Sequence, residues 1–126
     1  MFKTTSSILG QWALETGLGL PFTPPLDLSN SYSYAIRDNL TITLSQRAIA
    51  PSYILARNED FTEGVSLLGC ELKLNSDQEG TFHFKVDNIL NRSWLDHISA
   101  YRALGLVTQG RWWLLSWSKN IKQLNN

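Results

Sequence analysis

Cysteine is almost missing from this sequence, since Cys70 is the only one among 126 residues. A single cysteine cannot form an internal disulfide, and it excludes a zinc site built from cysteine ligands. No hydrophobic run reaches the length of a membrane-spanning helix. The sequence therefore predicts a cytoplasmic protein without membrane insertion, held together by packing and hydrogen bonds.

An excess of charge is missing as well. Eleven basic residues balance eleven acidic ones, so the formal net charge is zero. Nucleic acids and anionic membranes attract proteins with a positive surface, which argues against both partners here. Neither His83 nor His97 has a cysteine or carboxylate at ligand spacing. We predict two solvated histidines, no metal, no cofactor and no catalytic pair.

Aromatic residues are the abundant class, with five Trp, five Phe and four Tyr. In a small domain such residues usually form the core, but they also dominate the anchors of protein interfaces. The aromatic content alone leaves both uses open.

The clearest strand pattern spans Gly69 to Asp87. Apolar residues alternate with polar ones on both sides of a polar turn, as Cys70, Leu72 and Leu74 before it and Phe82, Phe84 and Val86 after it. Period-two alternation indicates strands with one apolar and one solvated face. The sequence predicts an antiparallel hairpin whose apolar face needs a cover, because a two-stranded hairpin is marginally stable alone.

A second hairpin is predicted over residues 32–44, and the parity of its strands decides the turn. A two-residue loop would put the two apolar sets on opposite faces. A three-residue loop, Arg37-Asp38-Asn39, pairs Tyr34 with Ile42 instead. That loop needs a left-handed third residue, so we predict a positive φ at Asn39.

Helices are predicted at both ends of the chain. Apolar residues recur at helical spacing over Thr5 to Gly17, and again beyond the N-cap candidate Ser93. A third strand is predicted from Ser52 to Arg57, and a short helix or irregular turn from Asp60 to Leu68. The order indicates a single α+β domain over residues 1–126, with an antiparallel sheet of about five strands flanked by an N-terminal helix and a long C-terminal helix. The long helix is the expected lid over the 69–87 hairpin.

Four short motifs accompany this order. ETGLGLP at residues 15–21 is a Gly-Leu-Pro-type turn after the first helix, and YAIRDNLTI at 34–42 is a strand pair. Residues 69–86 give a Gly-x-x-Leu strand, an acidic turn ending in Glu-Gly and a Phe-rich strand, and RWWLL at 111–115 places aromatics late in the last helix. With these motifs the chain resembles the class I type III secretion chaperones, the CesT-like or Tir-chaperone family. Its proline-rich segment resembles the subgroup that serves the secretion gatekeeper protein.

The resemblance implies a bacterial cytoplasmic, non-enzymatic dimer that binds the N-terminal segment of a secreted effector or gatekeeper protein. The bound segment is extended and adds as a strand to a free sheet edge, which keeps it soluble and competent for secretion. The candidate client-binding residues at matching positions are Leu9, Trp12, Ala13, Leu20, Phe22, Ile36 and Ile42. The candidate dimer-interface residues are Phe61, Val65, Leu68, Leu72 and Phe84.

Several alternatives remain open. Each of these residues also fits a place in the core, because apolar periodicity does not separate inward-facing from partner-facing side chains. The partner subunit is a second copy or a related small chaperone. Two other classes compete: a small ligand-binding or enzymatic α+β domain, which needs a pocket with convergent polar groups, and a structural subunit of a larger assembly.

Overall fold

A computed structural model describes residues 1–9, 24–52, 55 and 59–119. In these residues the chain forms six β-strands and a short 3₁₀ helix. The strands are β1 (Phe2–Leu9), β2 (Asp27–Arg37), β3 (Leu40–Ile49), β4 (Val65–Ser76), β5 (Gly80–Asp87) and β6 (Trp112–Ser118), and the 3₁₀ helix spans Ala100–Leu104. The predicted α+β class is wrong, because the described part of the chain is antiparallel sheet and contains no α-helix.

The six strands form one sheet in the order β1-β2-β3-β4-β5-β6, and every strand pairs antiparallel with its chain neighbour. Antiparallel neighbours need only short connections, so this meander follows directly from consecutive strand-forming segments. The long connection is residues 88–111, between β5 and β6.

The predicted 69–87 hairpin is confirmed as β4 and β5. Leu72 lies opposite Phe84 and Leu74 opposite Phe82, so the two apolar sets share one face. Gly80 begins β5 with a φ of 93°, a left-handed conformation that glycine adopts at little cost. Alternation and turn chemistry together were sufficient to predict this element.

The second hairpin pairs as predicted but turns differently. Tyr34 lies opposite Ile42, while Arg37 lies opposite Leu40 across a two-residue turn, with a register shift between Ala35 and Arg37. The predicted positive φ at Asn39 is wrong, since Asn88 and Asn91 are the non-glycine residues with positive φ in the described chain. A β-bulge in β2 adds one residue between Ala35 and Arg37. This extra residue gives the strand parity that we had explained by a three-residue loop.

The predicted N-terminal helix is wrong over Thr5 to Leu9, which belong to β1; the remainder of that prediction lies outside the described residues. β1 has the sequence FKTTSSIL, in which the β-branched threonines favour a strand. The whole of β1 pairs with β2, from Phe2 opposite Tyr34 to Leu9 opposite Asp27, which satisfies the backbone of β1 on one side.

The predicted C-terminal helix is wrong too. Residues 93–99 are irregular, the 3₁₀ helix covers one short stretch, and the tryptophan-rich segment is β6 at the sheet edge. Gly105, with a φ of 66°, interrupts the segment that we assigned to one long helix. β6 lies beside β5, so it extends the sheet and does not cover it.

The predicted third strand and middle helix are also corrected. Ser52 forms only an isolated bridge with Thr62, Leu55 is not in a strand, and residues 53–54 and 56–58 lie outside the described ranges. Val65 to Leu68 begin β4, not a helix. Gly64 packs against the end of β3, where an added Cβ would lie 2.8 Å from the carbonyl oxygen of Ile49. This close approach turns the chain back into the sheet.

The register gives the sheet two chemically different faces. Two rows cross all six strands on one face, which we call the apolar face: Phe2, Tyr34, Ile42, Leu72, Phe84 and Leu115, and next to it Thr4, Tyr32, Leu44, Cys70, Val86 and Trp113. The opposite face, the polar face, carries the rows Lys3, Ser33, Thr43, Glu71, Lys85 and Leu114, and Thr5, Ser31, Ser45, Gly69, Asp87 and Trp112. Because side chains alternate along a strand, each row lies wholly on its own face.

Burial is concentrated where the end of β3 meets the loops that follow β3 and β5. The buried side chains among the described residues are Ile49, Ser52, Thr62, Asn88 and His97. Four of these five are polar, so this small core depends on hydrogen bonds. No helix in the described ranges combines the length and the apolar character needed to span a bilayer.

Candidate functional site

The polar face carries a concave pocket of about 490 Å³ beneath the loop that connects β5 to β6. Its lining residues are Thr5, Ser7, Ser29, Asn30, Ser31, Ser45, Gln46, Arg47, Leu67, Leu68, Gly69, Asp87, Asn88, Trp94, Thr108, Gln109, Gly110 and Trp112. The volume lies in the range of small-molecule sites, which combine apolar walls with a few placed polar groups.

The floor of the pocket is a row of small side chains. Thr5, Ser31, Ser45 and Gly69 lie opposite one another on four successive strands. An added Cβ on Gly69 would collide with Ser45 Oγ and would lie 2.9 Å from Asp87 Oδ1. Because Gly69 has no side chain, Ser45 Oγ and Asp87 Oδ1 have room at the floor of the pocket.

One wall carries an ion pair. Arg47 Nε donates hydrogen bonds to Asp27 Oδ1 at 3.2 Å and Oδ2 at 2.9 Å, and Arg47 Nη2 donates to Oδ2 at 2.6 Å. The hydrogen bond with Asp27 raises the pKa of Arg47 above its ordinary value, although partial burial opposes the shift. The guanidinium is charged, and its charge is matched within the wall.

The opposite wall holds a second matched pair. Lys85 Nζ lies 2.8 Å from Asp87 Oδ2 and 5.4 Å from the centre of the Trp112 ring. The ammonium is thus shared between a carboxylate and an aromatic face, an arrangement that favours a fixed position for all three side chains. Asp87 and Trp112 also lie directly opposite each other on β5 and β6.

The loop of residues 88–111 forms the roof of the pocket. Hydrogen bonds between its side chains and its backbone fix this roof. Asn88, which is buried and has a φ of 52°, donates from Nδ2 to the Arg92 carbonyl at 2.8 Å and accepts the Arg92 amide at 2.9 Å. Asn91, with a φ of 53°, accepts the Arg111 amide at 2.8 Å. Asparagine tolerates this left-handed conformation better than most residues.

A further tie holds Trp94 in the roof. The Thr108 amide and the Thr108 hydroxyl both donate to the Trp94 carbonyl, at 2.8 Å and 3.0 Å. With the Asn91 contact, these bonds close the 88–111 loop on itself. The pocket is therefore framed by groups that the fold has already positioned.

A separate polar cluster surrounds His97, which is 2% exposed. Ser52 Oγ lies 3.1 Å from Nε2, Thr62 Oγ1 lies 3.0 Å from Nδ1, and Glu59 Oε2 lies 3.7 Å from Nε2. The predicted solvated His97 is wrong. Hydroxyl groups contact both ring nitrogens, so His97 links Ser52 and Thr62, which form an isolated bridge with each other, to the loop that follows β5.

The described residues include no group of three or more His, Cys, Asp or Glu side chains arranged to hold a metal ion. His83 lies on the polar face with Nε2 2.9 Å from Glu71 Oε1. That nitrogen has no hydrogen-bond partner in the structure, so the contact is short but poorly directed. We therefore assign the contact between His83 and Glu71 to the surface of the sheet, not to a metal site.

A second surface of interest is the apolar face. Exposure of its side chains is lower in the centre, where Ile42, Cys70 and Val86 are half-buried, and highest on β6, at 70% for Trp113 and 67% for Leu115. The two rows that cross all six strands contain no Asp, Glu, Lys, Arg or His. Six strands at about 4.8 Å and two rows about 7 Å apart give an uncharged patch of roughly 400 Å².

The candidate residues predicted from the sequence fall in several places. Ile42 of the client set, and Leu72 and Phe84 of the dimer set, lie side by side in one row of the apolar face. Elsewhere, Leu68 lies on the same face, Val65 begins β4, and Leu9, Ile36 and Phe61 are exposed away from that row. Trp12, Ala13, Leu20 and Phe22 lie outside the described residues. One candidate of the client set and two of the dimer set therefore share a row of the apolar face.

Of the predicted site residues, Leu68 lines the pocket. The serines and threonines of the pocket lie on the solvated side of strands, and we assigned them no role. Of the two tryptophans in the RWWLL motif, Trp112 lines the pocket. In β6 it alternates with Trp113 and points to the polar face.

Comparison of this chain with protein-family models, with curated proteins and with solved structures finds no match.

Proposed function

We propose that the chain is a non-enzymatic protein-binding subunit that pairs with a second copy through β6. The observation that carries the proposal is the character of this edge strand. β6 has the sequence WWLLSWS, with no charged residue and no proline, whereas natural sheet edges are usually protected from pairing by lysine, proline or a bulge. β1, at the other edge of the sheet, carries Lys3.

The sequence of β6 is self-complementary about Leu115. An antiparallel pair centred there places Leu115 opposite its own copy and Trp113 opposite Trp117 of the second copy. All of these side chains lie on the apolar face. Cross-strand aromatic pairs contribute roughly 0.2–1 kcal/mol each, and the paired sheets present one continuous apolar face.

The length of the β6 edge sets the expected affinity of the dimer. An edge of seven residues gives an interface at the small end of stable complexes. The neutral formal charge of the chain adds no repulsion between copies. We expect a dimer that dissociates on dilution, and light scattering coupled to size-exclusion chromatography measures this directly.

A charge exchange at Leu115 tests both the strand and the register. Leu115→Lys alone and Leu115→Glu alone each place like charges directly opposite across the two-fold axis, so each variant is expected to be monomeric. An equimolar mixture is expected to recover a heterodimer. The matched control is Leu114→Lys, on the same strand but on the polar face, which opposes Ser116 and leaves the dimer intact.

The proposal fails if the Leu115 variants dimerise as the natural chain does, or if the mixture stays monomeric while both variants are folded by circular dichroism. A natural chain that is monomeric at all concentrations also contradicts it.

The role expected of a secretion chaperone is a second candidate, supported by the uncharged apolar face. In this role a bacterial cytoplasmic protein holds an extended client segment whose alternate residues are apolar, so that they lie against Ile42, Leu72 and Phe84. Each buried aliphatic or aromatic side chain contributes roughly 1.5–3 kcal/mol, offset by the cost of ordering the client.

Leu72→Asp tests the second candidate. A charge in the centre of the apolar face is expected to abolish binding of a synthetic peptide with alternating leucines, measured by fluorescence anisotropy. Lys73→Asp, one residue further on the polar face, is the control and keeps binding. Equal binding by both variants contradicts the chaperone role and leaves the β6 dimer unaffected.

A further inference from the structure

We propose that the pocket on the polar face binds an uncharged, polyhydroxylated ring of mono- or disaccharide size. This site lies on the polar face, opposite the apolar face against which a client segment would lie. Three properties of the pocket support this ligand class: its hydroxyl groups, its matched charges and its indole walls.

The hydroxyl groups come from Thr5, Ser7, Ser29, Ser31 and Ser45. None of them forms a hydrogen bond with another residue in the described ranges. A hydroxyl both donates and accepts, and it rotates to suit its partner. A cluster of such groups matches a ligand whose own substituents are hydroxyls, because either orientation of each bond can be satisfied.

Matched charges argue against an ionic ligand. Arg47 is bound by Asp27 through three hydrogen bonds, and Asp87 is paired with Lys85 at 2.8 Å. An anion would have to displace Asp27 from the guanidinium, and a cation would have to displace Lys85. Both exchanges cost a charge-assisted contact, whereas a neutral ligand leaves both pairs in place.

The two indole side chains and the floor determine the shape of ligand that the pocket accepts. Trp94 in the roof and Trp112 in the wall supply apolar panels, while the missing side chain of Gly69 keeps the floor open. A pyranose ring has C–H groups on its faces and hydroxyls around its edge, which suits apolar panels above a hydroxyl floor. The pocket of about 490 Å³ accommodates one or two such rings.

The test is a titration of ¹⁵N-labelled protein with the neutral saccharides cellobiose, maltose and N-acetylglucosamine and with the neutral cyclitol myo-inositol, up to the millimolar range. The indole N–H signals of Trp94 and Trp112, assigned with Trp94→Phe and Trp112→Phe, are the reporters. We expect saturable shifts of these two signals with at least one neutral saccharide. Glucuronate and a sugar phosphate are expected to bind more weakly than their neutral parents.

Variants locate the binding. Ser31→Ala and Ser45→Ala each remove one floor hydroxyl and are expected to weaken binding about 3- to 10-fold, the effect of one neutral hydrogen bond. Ser33→Ala and Thr43→Ala are matched controls on the same two strands and the same face. Their hydroxyls bond each other at 2.9 Å outside the pocket, and their loss is expected to leave binding unchanged.

The proposal is overturned if folded protein shows no shift with any neutral saccharide, or if a charged analogue binds more tightly than its neutral parent. It is also overturned if the floor variants bind as well as the controls. Ser31→Ala and Ser45→Ala are small, solvent-side changes, so a dispersed amide spectrum in each variant separates lost binding from lost folding.

Discussion

The indole of Trp117 is hydrogen-bonded to the backbone carbonyl of Glu79, with its Nε1 2.7 Å from the oxygen. Glu79 belongs to the turn between β4 and β5, so a side chain of the edge strand fixes the turn of the neighbouring hairpin. The Trp117 ring also lies 6.3 Å from the ring of Phe82, at an interplanar angle of 35°. The last residues of β6 are therefore oriented by contacts within the chain.

Trp117→Phe removes this hydrogen bond but keeps an aromatic ring against Phe82. We expect the free energy of unfolding to fall by about 1 kcal/mol, the net value of one hydrogen bond, measured by urea denaturation. Trp113→Phe, on the same face and 70% exposed, is the control and changes stability little. Equal losses in the two variants would contradict the role of Glu79.

His97→Ala is expected to destabilise the fold far more than His83→Ala, because His97 is buried and His83 is only partly covered. It removes the imidazole between Ser52 and Thr62 and leaves two buried hydroxyls without their partner, so the free energy of unfolding should fall by about 2–4 kcal/mol. His83→Ala loses only a poorly directed surface contact with Glu71 and should cost less than about 1 kcal/mol. Chemical denaturation compares the two; similar losses would show that the His97 cluster is dispensable.

Substitutions at Asn88 separate backbone strain from hydrogen bonding. Asn88→Gly loses both bonds to Arg92 but accepts the φ of 52° without strain. Asn88→Ala loses the same bonds and adds the left-handed penalty of roughly 1–2 kcal/mol. Thermal unfolding should rank the chains as natural, then glycine, then alanine. An alanine variant as stable as the glycine variant would contradict a left-handed Asn88.

Gly69→Ala is expected to destabilise the protein by about 1–3 kcal/mol, because its new methyl group collides with Ser45 Oγ. The double variant with Ser45→Ala removes that oxygen, so the two changes should cost less together than their sum. A double-mutant cycle in urea measures the difference. Strict additivity would mean that Gly69 and Ser45 do not meet on the floor.

Arg47→Lys replaces the forked contact with Asp27 by a single point charge. The Arg47 side chain is half exposed, so we expect a loss of about 0.5–1 kcal/mol. A raised pKa means that the charged Arg47 stabilises the fold fully below the ordinary arginine pKa and loses this effect only as the pH rises through its higher folded value. The loss measured by denaturation should therefore be the same at neutral and mildly alkaline pH. A loss that grows between these conditions would contradict this assignment.

Sequence periodicity predicted helices near both ends of the chain, where the structure has β1 and β6. For β6 the reason lies in the spacing of its tryptophans. Trp113 and Trp117 are four residues apart, a spacing that places two side chains on the same side of a helix and also on the same side of a strand. Leu115, midway between them, distinguishes the two cases and favours the strand. At the β4–β5 hairpin three alternating residues in each strand left no such ambiguity, and that element was predicted correctly.

The pocket was beyond reach of sequence patterns. Thr5, Ser31, Ser45 and Gly69 are far apart in the chain and form one row only because three strand registers align them. Serine and threonine on the solvated side of a strand carry no signature of their own. The His97 cluster was missed likewise, since its partners Ser52 and Thr62 approach through an isolated bridge between loops.

The neighbour-only pairing of the strands has a kinetic consequence. The β2–β3 and β4–β5 hairpins close turns of two and three residues, and topologies dominated by local pairing fold faster than those with distant pairings. β6 has the longest connection to its neighbour, because it reaches β5 only after the 24 residues of 88–111 have been arranged. We therefore expect the β2–β5 hairpins to acquire amide protection before β6, so that the pocket roof and the edge strand mature together as the last step of folding.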